Sequence, residues 1–169
     1  MIDKQHFQLL GISLIIVRNK EGKYLCVKEK KNRGWWIPGG RVDPPESFQA
    51  AAVRETREEA GVDVALRGVI KIEMSLHDPQ YMRQRVVFFA EPVDEAQKPK
   101  SVPDKESEGA AYLTLEEIRE LRKGPVGWRG PEIIEFAEYL ENGGVVCPLS
   151  VLGNSKEKLQ NGLPFKVKP

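Results

Sequence analysis

A chain of 169 residues is close to the size of one domain, at roughly 150 residues per domain. Hydrophobic residues make up 40% and charged residues 30%, which is enough apolar material for a real core and excludes a disordered polymer. Lys plus Arg is 26 and Asp plus Glu is 25, a net charge of +1, so the global basic field of a duplex-binding module is absent.

The first apolar run, Leu9 to Val17, is shorter than the ~18 residues of a membrane span. Lys4 precedes it, but no small-residue cleavage site follows, so a buried strand over Gly11–Val17 is expected rather than a signal peptide. Arg18 to Gly22 is a turn, and Lys23 to Lys28 returns as a second strand. Cys26 and Cys147 stand far apart in no C-x-x-C spacing, which argues against a disulfide scaffold or structural zinc and for a reduced, cytoplasmic setting. Lys28 to Arg33 reads as a solvated basic loop. Across Trp35 to Gly40, Pro38 and the glycines argue against any regular element.

Ser47 to Ala60 is the clearest helix: Ser47 can cap it, Ala50 to Ala52 favour it, and Gly61 suits a left-handed C-terminal residue. Val64–Ser75 and Met82–Ala90 read as strands joined by a long hairpin through His77 to Gln80. Pro92 to Ser107 is a polar loop, and Ala110 to Leu113 a short strand. Thr114 with Glu117 forms a capping box opening a helix to about Arg122. Gly124-Pro125 breaks the chain, and Pro131 to Leu140 closes the series with a helix whose apolar side is Ile133, Ile134, Phe136, Ala137 and Leu140. This order predicts one α/β (α+β) domain over residues 1–142, a mixed sheet between helices. Residues 143–169 read as an irregular C-terminal extension packed on that domain.

The chemistry concentrates in GRVDPPESFQAAAVRETREEAGV, residues 40–62. Glu55, Glu58 and Glu59 stand at i, i+3 and i+4, so a helix puts them on one face, where like charges repel by a few tenths of about a kcal/mol per pair. Gathered oxygen ligands of this kind suit hard cations such as Mg²⁺ or Mn²⁺. Arg54 and Arg57 interleave and could supply part of the neutralisation. Gly39 and Gly40 allow the backbone close, so a carbonyl there could complete a coordination shell. A solvated charged face is the bland alternative for such a run, and the carboxylates alone do not decide between the two.

The segment resembles the Nudix box, G-x5-E-x7-R-E-U-x-E-E-x-G-U with U apolar. Gly40, Glu46, Arg54, Glu55, Glu58, Glu59, Gly61 and Val62 meet it. Thr56 is the one departure, at an apolar position, and Pro44-Pro45 precede Glu46 where Gly is common. The approach Trp36-Ile37-Pro38-Gly39-Gly40 is also similar to the family's, and the order of elements resembles its fold over about residues 8–142. The resemblance implies metal-dependent hydrolysis of a nucleoside diphosphate linked to another group X. It also implies site roles, carried over position by position. Glu55, Glu58 and Glu59 become metal ligands, one of the glutamates being the base, with the Gly39 carbonyl as a further ligand. Arg54 orients a neighbouring glutamate; Gly40, Glu46 and Gly61 are structural. One more carboxylate commonly comes from a later loop, and Glu108 is chosen over Glu106 because Gly109 follows it.

Arg41, Arg83, Arg85 and Trp35 are the candidate substrate contacts: the two strand arginines share a face, and Trp35 or Trp36 could stack on a base. His6 and His77 show no partner spacing. Among subclasses, the MutT-type hydrolases of oxidised nucleotides are the nearest resemblance, predicting a small nucleoside di- or triphosphate as substrate. Neither a membrane nor an extended nucleic acid is expected as partner, and the chain is expected to be a monomer or homodimer. The alternatives are a nucleotide-binding regulator that does not hydrolyse, or a hydrolase of ADP-ribose, dinucleoside polyphosphates or capped RNA.

Overall fold

The computed structural model describes residues 8–78 and 81–153. Its strands are β1 (Gln8–Val17), β2 (Tyr24–Lys28), β3 (Trp35–Trp36), β4 (Gly39–Arg41), β5 (Val64–Asp78), β6 (Tyr81–Pro92) and β7 (Gly109–Leu113). The helices are α1 (Phe48–Ala60), α2 (Leu115–Leu121) and α3 (Glu132–Glu141), followed by a 3₁₀ turn, Leu149–Leu152. None of the described helices is long and apolar enough to cross a membrane.

The expected mixed sheet is present, in the order β4-β1-β6-β5, with β1 and β6 parallel. A second, antiparallel sheet, β3-β2-β7, lies beside it. Two apolar clusters hold the layers together. One packs Leu14, Ile16, Tyr24 and Val87 against Ile118 of α2 and Ile133, Phe136 and Ala137 of α3. The other packs Ile15, Val17, Leu25 and Phe88 against Ala52 and Ala60 of α1. Successive β1 residues therefore serve opposite sides, the period of a strand buried on both faces.

Local signals set the helices as expected. Ser47 Oγ accepts the Ala50 amide at 3.2 Å, and Gly61 closes α1 at φ 69°, a conformation that favours glycine. The Thr114–Glu117 capping box forms in full. Three expectations change. Trp35 to Gly40 is not irregular: β3 and β4 flank Pro38, whose carbonyl accepts the Ile15 amide. The first strand starts earlier, at Gln8, because β6 offers a parallel partner from Tyr81 onward. The broad hairpin is instead mostly strand, with β5 and β6 pairing as far as Asp78 and Tyr81 and residues 79–80 outside the described set. Within the later residues, Cys147 and Val69 exchange both backbone hydrogen bonds at 2.8 Å, attaching this stretch to β5.

Candidate active site

The site is built where β4 passes the face of α1. The Gly39 amide donates to Glu59 Oε2 at 2.9 Å. A Cβ on Gly40 would lie 2.3 Å from Glu55 Oε1, so only glycine leaves that carboxylate where it is. Arg54 gathers the rest of the box. Its Nε donates to Glu46 Oε2 at 3.1 Å, and Nη1 donates to Glu55 Oε1 at 2.8 Å and to Glu58 Oε2 at 3.0 Å. Nη2 takes the Arg41 carbonyl at 3.0 Å and the other Glu46 oxygen. Glu46 also accepts the Asp43 amide at 2.9 Å, so it ties the β4–α1 loop to the helix. These bonds, the Arg54 guanidinium first, hold the Glu46 carboxyl below its ordinary value. Arg57 lies apart, paired with Asp63 at 3.5 Å. Thr56, the departure from the motif, is fully buried and returns its hydroxyl to the Ala52 carbonyl at 2.8 Å.

The carboxylates are electrostatically crowded. Burial pushes Glu59 up to about 8, the Gly39 amide offsets part of this, and Glu55 and Glu29 add to the rise. Burial likewise raises Glu55, against the pull of Arg54, with further push from Glu58 and Glu106. Among the described residues no three acidic, His or Cys side chains already converge as a metal cage; Glu55 and Glu58 turn to Arg54 instead. The donor set itself is oxygen-only and carries more negative charge than Arg54 can offset, which fits a hard divalent cation.

On its other side β4 lines a cleft of about 670 Å³, walled by Leu10, Ile12, Trp36, Arg83, Arg85 and Arg129 together with Gly39, Gly40, Arg41 and Glu132. Arg83 and Arg85 do share a face, as expected. Arg85 is committed within the fold, since its Nε and Nη1 donate to Glu73 at 2.6 Å and to Glu132 at 2.7 Å. Arg83 donates Nε to Ser75 Oγ at 3.2 Å. Two further candidates have surroundings of their own. Trp36, not Trp35, lines this cleft; Trp35 faces the opposite way, into a separate depression beside α2, because neighbours on a strand alternate. Both loop carboxylates are ion-paired, Glu108 with Lys28 at 2.9 Å and Glu106 with Lys105 at 3.1 Å, and the Glu106 charge adds a little to the rise at Glu55.

Sequence reasoning missed Glu29, Arg129 and Glu132. Glu29 is buried and receives Arg129 Nη1 at 2.6 Å and Arg33 at 2.8 Å. Arg129 stacks on the Trp36 ring, 4.1 Å from its centroid, and Trp36 Nε1 donates to Glu132 at 3.3 Å. One signal was available: a lone acid, Glu29, inside the basic run Lys28 to Arg33.

Comparisons with known proteins agree with this geometry. The family model NUDIX domain matches residues 9–134. The chain is 40% identical over 77 residues to the Bacillus subtilis protein named "Putative 8-oxo-dGTP diphosphatase", covering 46% of this chain and 50% of that one. It is 31% identical over 130 residues to human "8-oxo-dGDP phosphatase NUDT18", covering 75% and 37%. The chain thus spans half or less of the length of these relatives. Among solved structures, a NUDIX hydrolase from Nitrosomonas europaea superposes with a TM-score of 0.65 at 25% identity, covering 87% of this chain and 97% of that one. With a family match over most of its length and the box in place on α1, this chain belongs to the Nudix hydrolase family.

Proposed function

We propose that the protein is a divalent-metal-dependent pyrophosphohydrolase whose substrate is a small nucleoside di- or triphosphate, with oxidised nucleotides foremost. The observation that carries this is the acidic face of α1 meeting a cationic cleft across β4. Glu55, Glu58 and Glu59, with the Gly39 carbonyl, would hold Mg²⁺ or Mn²⁺. When bound, the metal supplies charge neutralisation at the diphosphate and a more acidic attacking water.

The chain's own residues do the rest. Arg54 positions Glu55 and Glu58 and, through Glu46, fixes the β4–α1 loop. One box glutamate takes the proton of the attacking water, and Glu106 replaces Glu108 as the supplementary loop acid. Arg41 and Arg83 meet phosphate, while Arg85 shapes the wall through Glu73 and Glu132. Trp36 and the apolar Leu10 and Ile12 exclude water. The 8-oxo-nucleotide names of the two relatives support the substrate class.

A cleft of this size, with few cations and a net charge of +1, favours a short phosphate chain over a polyanionic strand. The test is kcat/KM over oxidised and normal nucleotides, ADP-ribose, diadenosine polyphosphates and capped RNA. The reading expects the mononucleotides to lead; a clear preference for capped RNA or a dinucleotide would overturn it.

A further inference from the structure

The cleft contains one arginine that neither the box nor the strand pattern accounts for. Arg129 lies on the segment between α2 and α3, which is fastened to β3. The Trp35 amide donates to the Gly127 carbonyl at 2.9 Å, and the Arg129 amide to the Trp35 carbonyl at 3.0 Å. Gly34, at φ 100°, makes this approach possible, because a Cβ there would lie 2.6 Å from the Trp128 carbonyl carbon. The Arg129 side chain is then fixed twice more, by the Trp36 ring beneath it and by Glu29 at one nitrogen. Glu29 serves both Arg33 and Arg129, so the group keeps one unit of uncompensated positive charge.

The other arginines of the cleft are Arg41, Arg83 and Arg85. Arg85 is spent on two carboxylates, and Arg83 gives its Nε to Ser75. Arg129 lines the same cleft as Gly39 and Gly40, the β4 residues set against Glu59 and Glu55.

We propose that Arg129 is a phosphate-binding residue, held rigid by Trp36 and Glu29 so that its remaining guanidinium N–H groups meet the phosphate chain of a substrate bound at the box. The inference rests on the hydrolase reading for the identity of that substrate. Pre-fixing the guanidinium removes most of the ordering cost of a long side chain on binding. A planar fork also matches phosphate oxygens in a way that an ammonium does not.

The experiment uses the full chain with Mg²⁺ and inorganic tripolyphosphate, which carries the phosphates without a base or sugar. Calorimetric binding is measured for wild type, Arg129→Gln and Arg129→Lys, with thermal unfolding of each. Arg129→Gln should weaken tripolyphosphate about 10- to 100-fold, the range of one charge-assisted contact, and Arg129→Lys should restore only part of it. Both variants should raise KM for nucleotides more than they lower kcat. An unchanged tripolyphosphate affinity in Arg129→Gln overturns the proposal, including the case where nucleotide KM rises, since that would place Arg129 at the base. Should Arg129→Gln fail to fold, full affinity in Arg129→Lys overturns it equally. Wild type that binds tripolyphosphate with the expected Arg129 dependence yet cleaves no nucleotide leaves this inference standing and defeats the hydrolase reading instead.

Discussion

Adjacent glycines in β4 should separate catalysis from folding. A Cβ at Gly40 would stand 2.3 Å from Glu55 Oε1 and 2.6 Å from Oε2. Restoring an ordinary contact near 3.4 Å requires the carboxylate to retreat by about 1 Å. The obstacle is the far end of a side chain, so the fold can yield there. The main loss is a weakened Arg54 bond, about 1 kcal/mol after allowance for solvent, or a fall in Tm of about 2–4 °C at this chain length. A displacement of about 1 Å at a catalytic carboxylate nevertheless costs about 10²-fold in rate. At Gly39 the new Cβ meets backbone, 2.5 Å from the Ser13 carbonyl oxygen and 3.1 Å from Leu14 Cα, where nothing can turn aside. Gly39→Ala should therefore cost at least about 1–3 kcal/mol of stability. The assay is Tm with kcat on the best nucleotide for both variants. Gly40→Ala retaining kcat within about threefold, or losing as much stability as Gly39→Ala, would refute the placement of Glu55 against β4.

Other outcomes follow from particular contacts. Glu106→Gln should lower kcat about 10- to 100-fold, the cost of losing a carboxylate that supports a metal site, and Glu108→Gln less, since it is the Glu106 charge that acts on Glu55; the opposite ranking in steady-state kinetics would restore Glu108. Thr56→Val exchanges a hydrogen bond worth about 1 kcal/mol for a buried methyl worth about 0.8 kcal/mol, so chemical denaturation should find stability nearly unchanged and activity intact. Burial would raise Glu73 and Glu132, but Arg85, and Lys71 in the case of Glu73, bring both below the ordinary carboxylate value. Carboxyls depressed in the folded state stabilise above the unfolded value near 4.5 and lose that contribution as pH falls through the folded one. Arg85→Gln should accordingly flatten the acid limb of a Tm–pH profile below about pH 5 while lowering Tm at neutral pH.

What was legible in the sequence was local. Ser47, Gly61 and the Thr114–Glu117 pair act within one helical turn, and the three glutamates share a face by spacing alone. Sheet pairing is not local: nothing near Gln8 announces Tyr81 as its parallel partner, so the start of β1 and the separation into two sheets had to come from the fold. The same limit hid the far side of the cleft. Glu29 and Arg129 meet across 100 positions, and Arg85 and Glu132 across 47. Choosing between Trp35 and Trp36 needs the strand's facing, which a two-residue strand with no alternating pattern does not reveal.

The measurement that bears most directly on the central claim is phosphate or pyrophosphate release from nucleoside triphosphates by wild type and Glu59→Gln, each with Mg²⁺, with Mn²⁺ and in excess EDTA. Glu59→Gln keeps an oxygen able to accept the Gly39 amide, so the fold and its Tm should hold. The account predicts turnover only in wild type with metal, and a loss of at least about 10²-fold in the variant. Full wild-type turnover in EDTA, or equal turnover by the variant with metal, would contradict it.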